Sequence, residues 1–211
     1  YVITNTQYFN NLQYFYINNL ITILLFFGFG IKIPIWPFHF WLTKTHVEVN
    51  TSFSIFLSGI LVKTALYGLY KFNFLFYELS YIFFIFYFLG ILDVTVKLFS
   101  QIDVKKIVAN CTVFEMNIIM INFLYLNTSS YLFLIYFSCL HTMLSFLFFF
   151  SVECIYKRYN TRSIYGITNI LNNYPILAIF IVINVLLFNG LPLTLKFNLE
   201  IILILKLLNH N

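Results

Sequence analysis

Charged side chains are scarce in this sequence, where hydrophobic residues make up 61% and charged residues only 9%, so each one inside an apolar run needs a reason. Lys63 sits in Ile60-Leu61-Val62-Lys63-Thr64-Ala65-Leu66, roughly 15 Å from either end of its run, beyond the reach of a lysine side chain toward water. An ammonium at that depth costs about 3 kcal/mol on insertion scales. It must face a partner or a wet path, and a lysine so desolvated can release a proton and serve as a relay. Glu115 in Val113-Phe114-Glu115-Met116 and His141 in Cys139-Leu140-His141-Thr142 occupy similar mid-run positions. The alternative for His141 is a hydrogen bond to a neighbouring helix, worth about 1 kcal/mol.

Lys32 stands two residues before Pro34, where it can point into the same polar interior or simply satisfy carbonyls freed by the proline. Glu200 follows Pro192 by eight residues, about 12 Å along a helix, and could cap a polar path. His39 and His46 are seven apart, on one face if the segment is helical, with Glu48 close behind. They lack the HExxH spacing of a zinc site, so a polar vestibule or satisfied pair is expected and no metal. Asp103 with Lys105 and Lys106 reads as a solvated connector cluster.

The elements that must hold these groups are membrane helices. Mean hydropathy is +0.89, and apolar runs recur at 14–33, 52–72, 79–99, 105–126, 130–155 and 175–208, all but the last near the ~20 residues that span a bilayer as a helix. Without the short alternating segments of a barrel, helices are the way to satisfy the backbone in lipid. The expected fold is all-α: a polytopic membrane helical bundle with about six crossings, a polar segment at 1–13 and a transmembrane domain at 14–211. Pro34 and Pro37 break the first span. The last span, about 50 Å if straight, breaks at Asn189-Gly190-Leu191-Pro192. Two Gly/Pro-interrupted spans point to a transport site.

If the first span runs from side A to side B, the side-B connectors carry Lys44, Lys97, Lys105, Lys106, Lys157, Arg158 and Arg162, against chiefly Lys71 on side A. Side B is then the cytoplasm-equivalent face, the matrix in a mitochondrion. The net charge of +5 is spread singly between spans, which fits topology control and not nucleic acid. Cys111, Cys139 and Cys154 lack CxxC spacing and read as buried packing residues. There is no phosphate-binding glycine loop, nucleophile elbow or haem or cluster ligand set, so redox chemistry is not expected on this chain. It opens at Tyr1 without methionine, which suggests missing first residues or an unconventional start. Its wealth of Phe, Tyr, Ile and Asn, residues of A/T-rich codons, suits an organelle-encoded protein.

The residues resemble, in order, the antiporter-like proton-pumping subunits of respiratory complex I, and among them the subunit 4 type. Gly30-Ile31-Lys32-Ile33-Pro34 with Pro37-Phe38-His39-Phe40-Trp41-Leu42 looks like the family's broken seventh helix, and Thr45-His46-Val47-Glu48 resembles its A-H-V-E-A-P segment. Ser58 to Gly68 resembles the next helix. Gln101-Ile102-Asp103-Val104-Lys105 is similar to the R-Q-T-D-L-K stretch, and His141-Thr142-Met143 to H-G-L. Asn189-Gly190-Leu191-Pro192 through Glu200 resembles the second broken helix, where subunit 4 carries a glutamate and its paralogues usually a lysine. Three departures stand out: Glu115 replaces the histidine of S-H-M, Asn50 a proline, and Leu199 a glycine.

The resemblance covers about residues 20–208 and matches the seventh through twelfth of about fourteen helices. It implies a proton relay through Lys32, Lys63, His141 and Glu200, with Glu115 as a variant member. It also implies that NADH, FMN, iron–sulfur clusters and ubiquinone belong to partner subunits; the half with the fifth-helix glutamate is expected from another polypeptide, through a split gene or a partially supplied chain. The setting implied is the mitochondrial inner membrane, with phospholipid and other membrane-arm subunits as neighbours. A stand-alone cation/proton antiporter fragment and a non-conducting structural subunit are the alternatives.

Overall fold

The computed structural model describes residues 19–72, 80–125 and 131–208; the predicted polar segment 1–13 and the start of the first span lie outside them. Helix α1 is Asn19–Lys32 and α2 is Phe40–Glu48. Helix α3 covers Thr51–Lys71 and contains a π-helical stretch at Leu57–Leu61. Then follow α4 (Ser80–Ser100), α5 (Val104–Tyr125) and α6 (Tyr131–Tyr159). A 3₁₀ turn at Ile164–Gly166 and the short α7 (Ile170–Asn173) lead to α8 (Pro175–Phe188) and α9 (Leu195–Leu208).

Helices α3, α4, α5 and α6 are long and apolar enough to cross a bilayer. The first and last predicted spans are each divided by a break, which leaves α1 and α8 as shorter apolar helices. The structure is thus the all-helical bundle the sequence implies, with both predicted interruptions. Phe26, Phe83 and Tyr87 bring α1 and α4 together, with Phe26 and Phe83 stacked at 3.8 Å between centroids. Outward faces carry exposed Tyr81, Ile85, Ile176 and Ile179, the apolar surface that a lipid-facing helix presents.

Helix α5 is the centre. In its membrane-crossing part α5 has 72% of its residues buried, against 22% for α4, because α5 packs against α2, α4, α6 and α9. That position explains its sequence. Asn110, Thr112, Glu115, Asn117 and Asn122 are all buried, and polar side chains at membrane depth are tolerated where they face the bundle interior.

Each break has its own backbone logic. A proline supplies no amide, so Pro34 and Pro37 leave the carbonyls of Gly30 and Ile33 without their usual helical donors, and Ile35 N–H turns back to Gly30 O at 3.3 Å. Ile35 is thereby withdrawn from the carbonyl of Ile31, which instead accepts from the Trp41 indole at 2.7 Å. At the second break Gly190 has φ +65° and Leu193 φ +85°. The first is easy for glycine, whereas the second is an uncommon conformation for a leucine.

Candidate functional site

The most densely charged interior point lies at the α8/α9 break. Phe188 is four residues before Pro192, so its carbonyl has no helical donor, and the Lys196 ammonium takes that place. Lys196 is buried and also pairs with the carboxylate of buried Glu115 on α5. The Glu200 carboxylate, one turn along α9, lies 3.6 Å from the same ammonium. A second carboxylate is therefore positioned to take over if the first lets go. Glu200 also sits against Gly190, where an added Cβ would lie 2.8 Å from Glu200 Oε2.

Two further groups feel these charges. His141 on α6 is buried, its ring 6.1 Å from that of Phe188, and the charges of both Lys63 and Lys196 act on it. Neither of its ring nitrogens has a hydrogen-bond partner among the described residues. Lys63 donates to the Ser58 carbonyl at 2.5 Å, a carbonyl in the π-helical stretch of α3. It also lines a cavity of about 250 Å³ with Leu66, Tyr67, Phe123 and Ser138. Ser58 in turn bonds Ser145 at 3.4 Å. The charges of Lys63, Lys196 and Glu200 all act on Glu115. Lys63, His141, Lys196, Glu115 and Glu200 thus form one electrostatically connected row across α3, α6, α9 and α5.

Toward side B, His46 on α2 is fully buried and stacked on Phe149 at 4.8 Å, with neither nitrogen hydrogen-bonded among the described residues. The charges of Lys105 and Lys63 act on it. His39, at the entrance to α2, is bonded to Asp93 at 2.7 Å and lies 2.8 Å from the Lys97 ammonium. Glu48 is exposed. Asp103 accepts from the Lys105 amide at 2.9 Å at the start of α5.

Some expectations need correction. Lys105 is fully buried and donates to the Val49 carbonyl at 2.6 Å, so it is no solvated connector charge. The Asp103–Ser163 bridge draws its segment inward, and Arg162 holds the neighbouring Val47 carbonyl at 3.0 Å. Two cations thereby grip the C-terminal carbonyls of α2, where the helix dipole is negative. Lys32 is exposed and bonds no other described residue, so it does not join the row. Cys139 is exposed and Cys111 and Cys154 only half-buried; on the outward face of α6 a small thiol such as Cys139 needs no burial. Sequence reasoning missed Lys196, whose signal was a second charge four residues before Glu200 just past a break. It also missed Asp93 and Lys97 as the partners of His39.

Interrupted helices around buried, paired charges in an all-helical bundle define a polytopic membrane protein of antiporter-like build. In fold, the chain is similar to a subunit of the Mrp complex from Dietzia sp. DQ12-45-1b, with a TM-score of 0.82 and 18% identity over 90% of this chain and 36% of the other. It is equally similar to a chain of the membrane-bound sulfane sulfur reductase, an archaeal respiratory membrane complex, with a TM-score of 0.81 and 14% identity over 88% and 39%. The chain belongs to the NADH:quinone oxidoreductase/Mrp antiporter transmembrane family, whose model matches residues 1–211.

Its curated relatives include NADH-ubiquinone oxidoreductase chain 4 of Paramecium tetraurelia, 49% identical over 179 residues, which are 84% of this chain and 38% of that one. The chain 4 of Acanthamoeba castellanii is 30% identical over 202 residues, 93% of this chain and 41% of the relative. The chain spans about two fifths of the length of these relatives.

Proposed function

We propose that this chain forms part of a proton-translocating membrane-arm subunit of NADH:ubiquinone oxidoreductase in the mitochondrial inner membrane. The observation that carries the reading is Lys196, a buried ammonium held between the carboxylates of Glu115 and Glu200 at a helix break. A cation with two alternative acids can move between them as neighbouring charge changes, and that motion alters the proton affinity of His141 and Lys63 along the row. The relay then runs through Lys63, His141, Lys196, Glu115 and Glu200. Lys32, at the α1/α2 break, stands apart from this row among the described residues and enters the relay through a neighbouring segment.

NADH, FMN, iron–sulfur clusters and ubiquinone would reside on partner subunits, with energy reaching this chain through conformation and charge. Lys32 is exposed at the end of α1, and an ammonium at membrane depth requires a partner. That supports a neighbouring segment bearing the glutamate of the family's fifth helix, in line with relatives more than twice this length.

The test uses the native complex in sealed vesicles, with protons moved per NADH oxidised measured for Lys63→Met and Lys196→Met. Both variants lower the ratio or the coupled rate. An unchanged ratio and rate in fully assembled complex refutes the relay. Mass spectrometry of the purified assembly should find other subunits of the oxidoreductase with this chain, and their absence refutes the assignment to that complex.

A further inference from the structure

His39 is separate from the row of charges assigned above, and neither Asp93 nor Lys97 belongs to the motifs that carry the family resemblance. His39 Nε2 lies 2.7 Å from Asp93 Oδ2 and 2.8 Å from Lys97 Nζ, and Lys97 also pairs with that same Asp93 oxygen. With Asp93 and Lys97 both charged, the three atoms form a closed triangle whose three edges cannot all be hydrogen bonds. An imidazole nitrogen either carries a hydrogen or accepts one. If Nε2 accepts from the ammonium, it meets the carboxylate as one acceptor facing another. If Nε2 carries a proton toward Asp93, it meets the ammonium as one donor facing another. Each arrangement satisfies two edges and leaves the third repulsive.

The surroundings give this frustration a direction. Asp93 and Lys97 are partly exposed, at 31% and 27% of their side chains, whereas His39 is buried. Lys97 lines a cavity of about 390 Å³ with Lys44, Glu48, Gln101, Lys106 and Asn110, all at the side-B ends of α2, α4 and α5. The opposite ring nitrogen, Nδ1, is buried with no hydrogen-bond partner among the described residues. One nitrogen therefore reaches the side-B cavity through Lys97, beside the partly exposed Asp93, and the other is buried.

We propose that His39, Asp93 and Lys97 form a side-B proton-loading switch, in which the imidazole accepts a proton at Nε2 from the cavity and passes one inward from Nδ1. The inference rests on the proton-translocation reading. Starting from the Nδ1–H tautomer, a proton from side-B water bonds to Nε2 and gives an imidazolium, whose charge Asp93 balances. The Nδ1–H bond then breaks toward an interior water, which takes the proton and leaves neutral imidazole protonated at Nε2. The ring then swings about its Cβ–Cγ bond so that Nε2 gives up its proton and Nδ1 regains one on side-B water alone; the protein is unchanged and one proton has moved inward. Histidine suits this because its two nitrogens act independently.

In the native complex in sealed vesicles, Asp93→Asn and His39→Gln should each lower coupled proton movement by about a hundredfold, the low side of the usual contribution of a positioned proton-transfer group. Asp93→Glu should restore part of it. Added imidazole should rescue His39→Gly, and thiazole, of similar shape but far less basic, should not. Assembly is checked on native gels for every variant. Normal pumping in the His39 and Asp93 variants beside a defective Lys196→Met overturns this inference and leaves the proposed function standing. Normal pumping in all of them overturns both, and equal rescue by thiazole reduces His39 to a packing role.

Discussion

Replacing Lys196 by methionine removes an ammonium on which three acceptors converge: Glu115, Glu200 and the Phe188 carbonyl. Methionine keeps the volume, so the cost is electrostatic. Glu115 is buried and loses its ion-pair partner, a change that typically costs 3–5 kcal/mol, so about 4 kcal/mol is expected. The Phe188 carbonyl loses its donor as well, and Pro192 has no amide to replace it. The reciprocal change, Glu115→Gln, should cost only about 1–2 kcal/mol, because Lys196 retains the Phe188 carbonyl and has Glu200 already 3.6 Å away. In the double variant the cation and its buried acid leave together. Its cost should fall about 2–3 kcal/mol short of the sum, as for other directly coupled pairs.

The assay is the temperature at which the chain leaves the detergent-solubilised native complex, followed by native electrophoresis after graded heating. At about 2–4 °C per kcal/mol for a chain of this size, Lys196→Met lowers the midpoint on the order of 10 °C and Glu115→Gln by a few degrees. Equal effects, a reversed order, or additivity in the double variant would refute the account of one ammonium serving two acids and a broken helix.

Gly190→Ala places a Cβ 2.8 Å from Glu200 Oε2 at a position with φ +65°; the left-handed backbone alone costs about 1–2 kcal/mol, and adding Glu200→Ala should relieve only the steric part. The same heating assay measures both. Trp41→Phe deletes the 2.7 Å bond to the Ile31 carbonyl at a cost of about 1 kcal/mol, and hydrogen exchange should quicken across residues 33–41; unchanged protection there would show that the indole does not hold the break. Lys105→Met removes the buried bond to the Val49 carbonyl, worth about 1.5–3 kcal/mol. Exchange at residues 45–50 should rise while Arg162 still holds Val47, and no change would refute the clamp.

Much of this was legible in the sequence because a bilayer punishes exceptions. Lys63, Glu115 and His141 announced themselves as polar groups in apolar runs, and Pro34, Pro37 and Pro192 announced the breaks, since each removes an amide that no water replaces. What could not be read was partnership across long separations. Glu115 and Lys196 are 81 residues apart, and His39 and Lys97 are 58 apart; no local pattern encodes either pair. Lys105 looked like a solvated charge because its neighbours Asp103 and Lys106 are polar, yet the Ser163 bridge folds it inward. Composition fixes which face of a helix avoids lipid, but not which neighbour that face will meet.

The two breaks share one solution, and it ties the charges to the backbone. At the first, a side-chain donor from Trp41 satisfies the carbonyl of Ile31; at the second, Lys196 satisfies that of Phe188. An indole N–H is a fixed donor, so the first break is held in one way only. An ammonium that also serves two carboxylates is different, because any shift of Lys196 toward Glu200 or Glu115 changes how well it can reach the end of α8. Proline at position 192 thereby makes the geometry of a helix terminus depend on where a buried charge sits. That dependence runs in both directions, since a displacement of the helix end must equally redistribute Lys196 between its two acids. The physical requirement for coupling protein movement to proton affinity is therefore met within α5, α8 and α9.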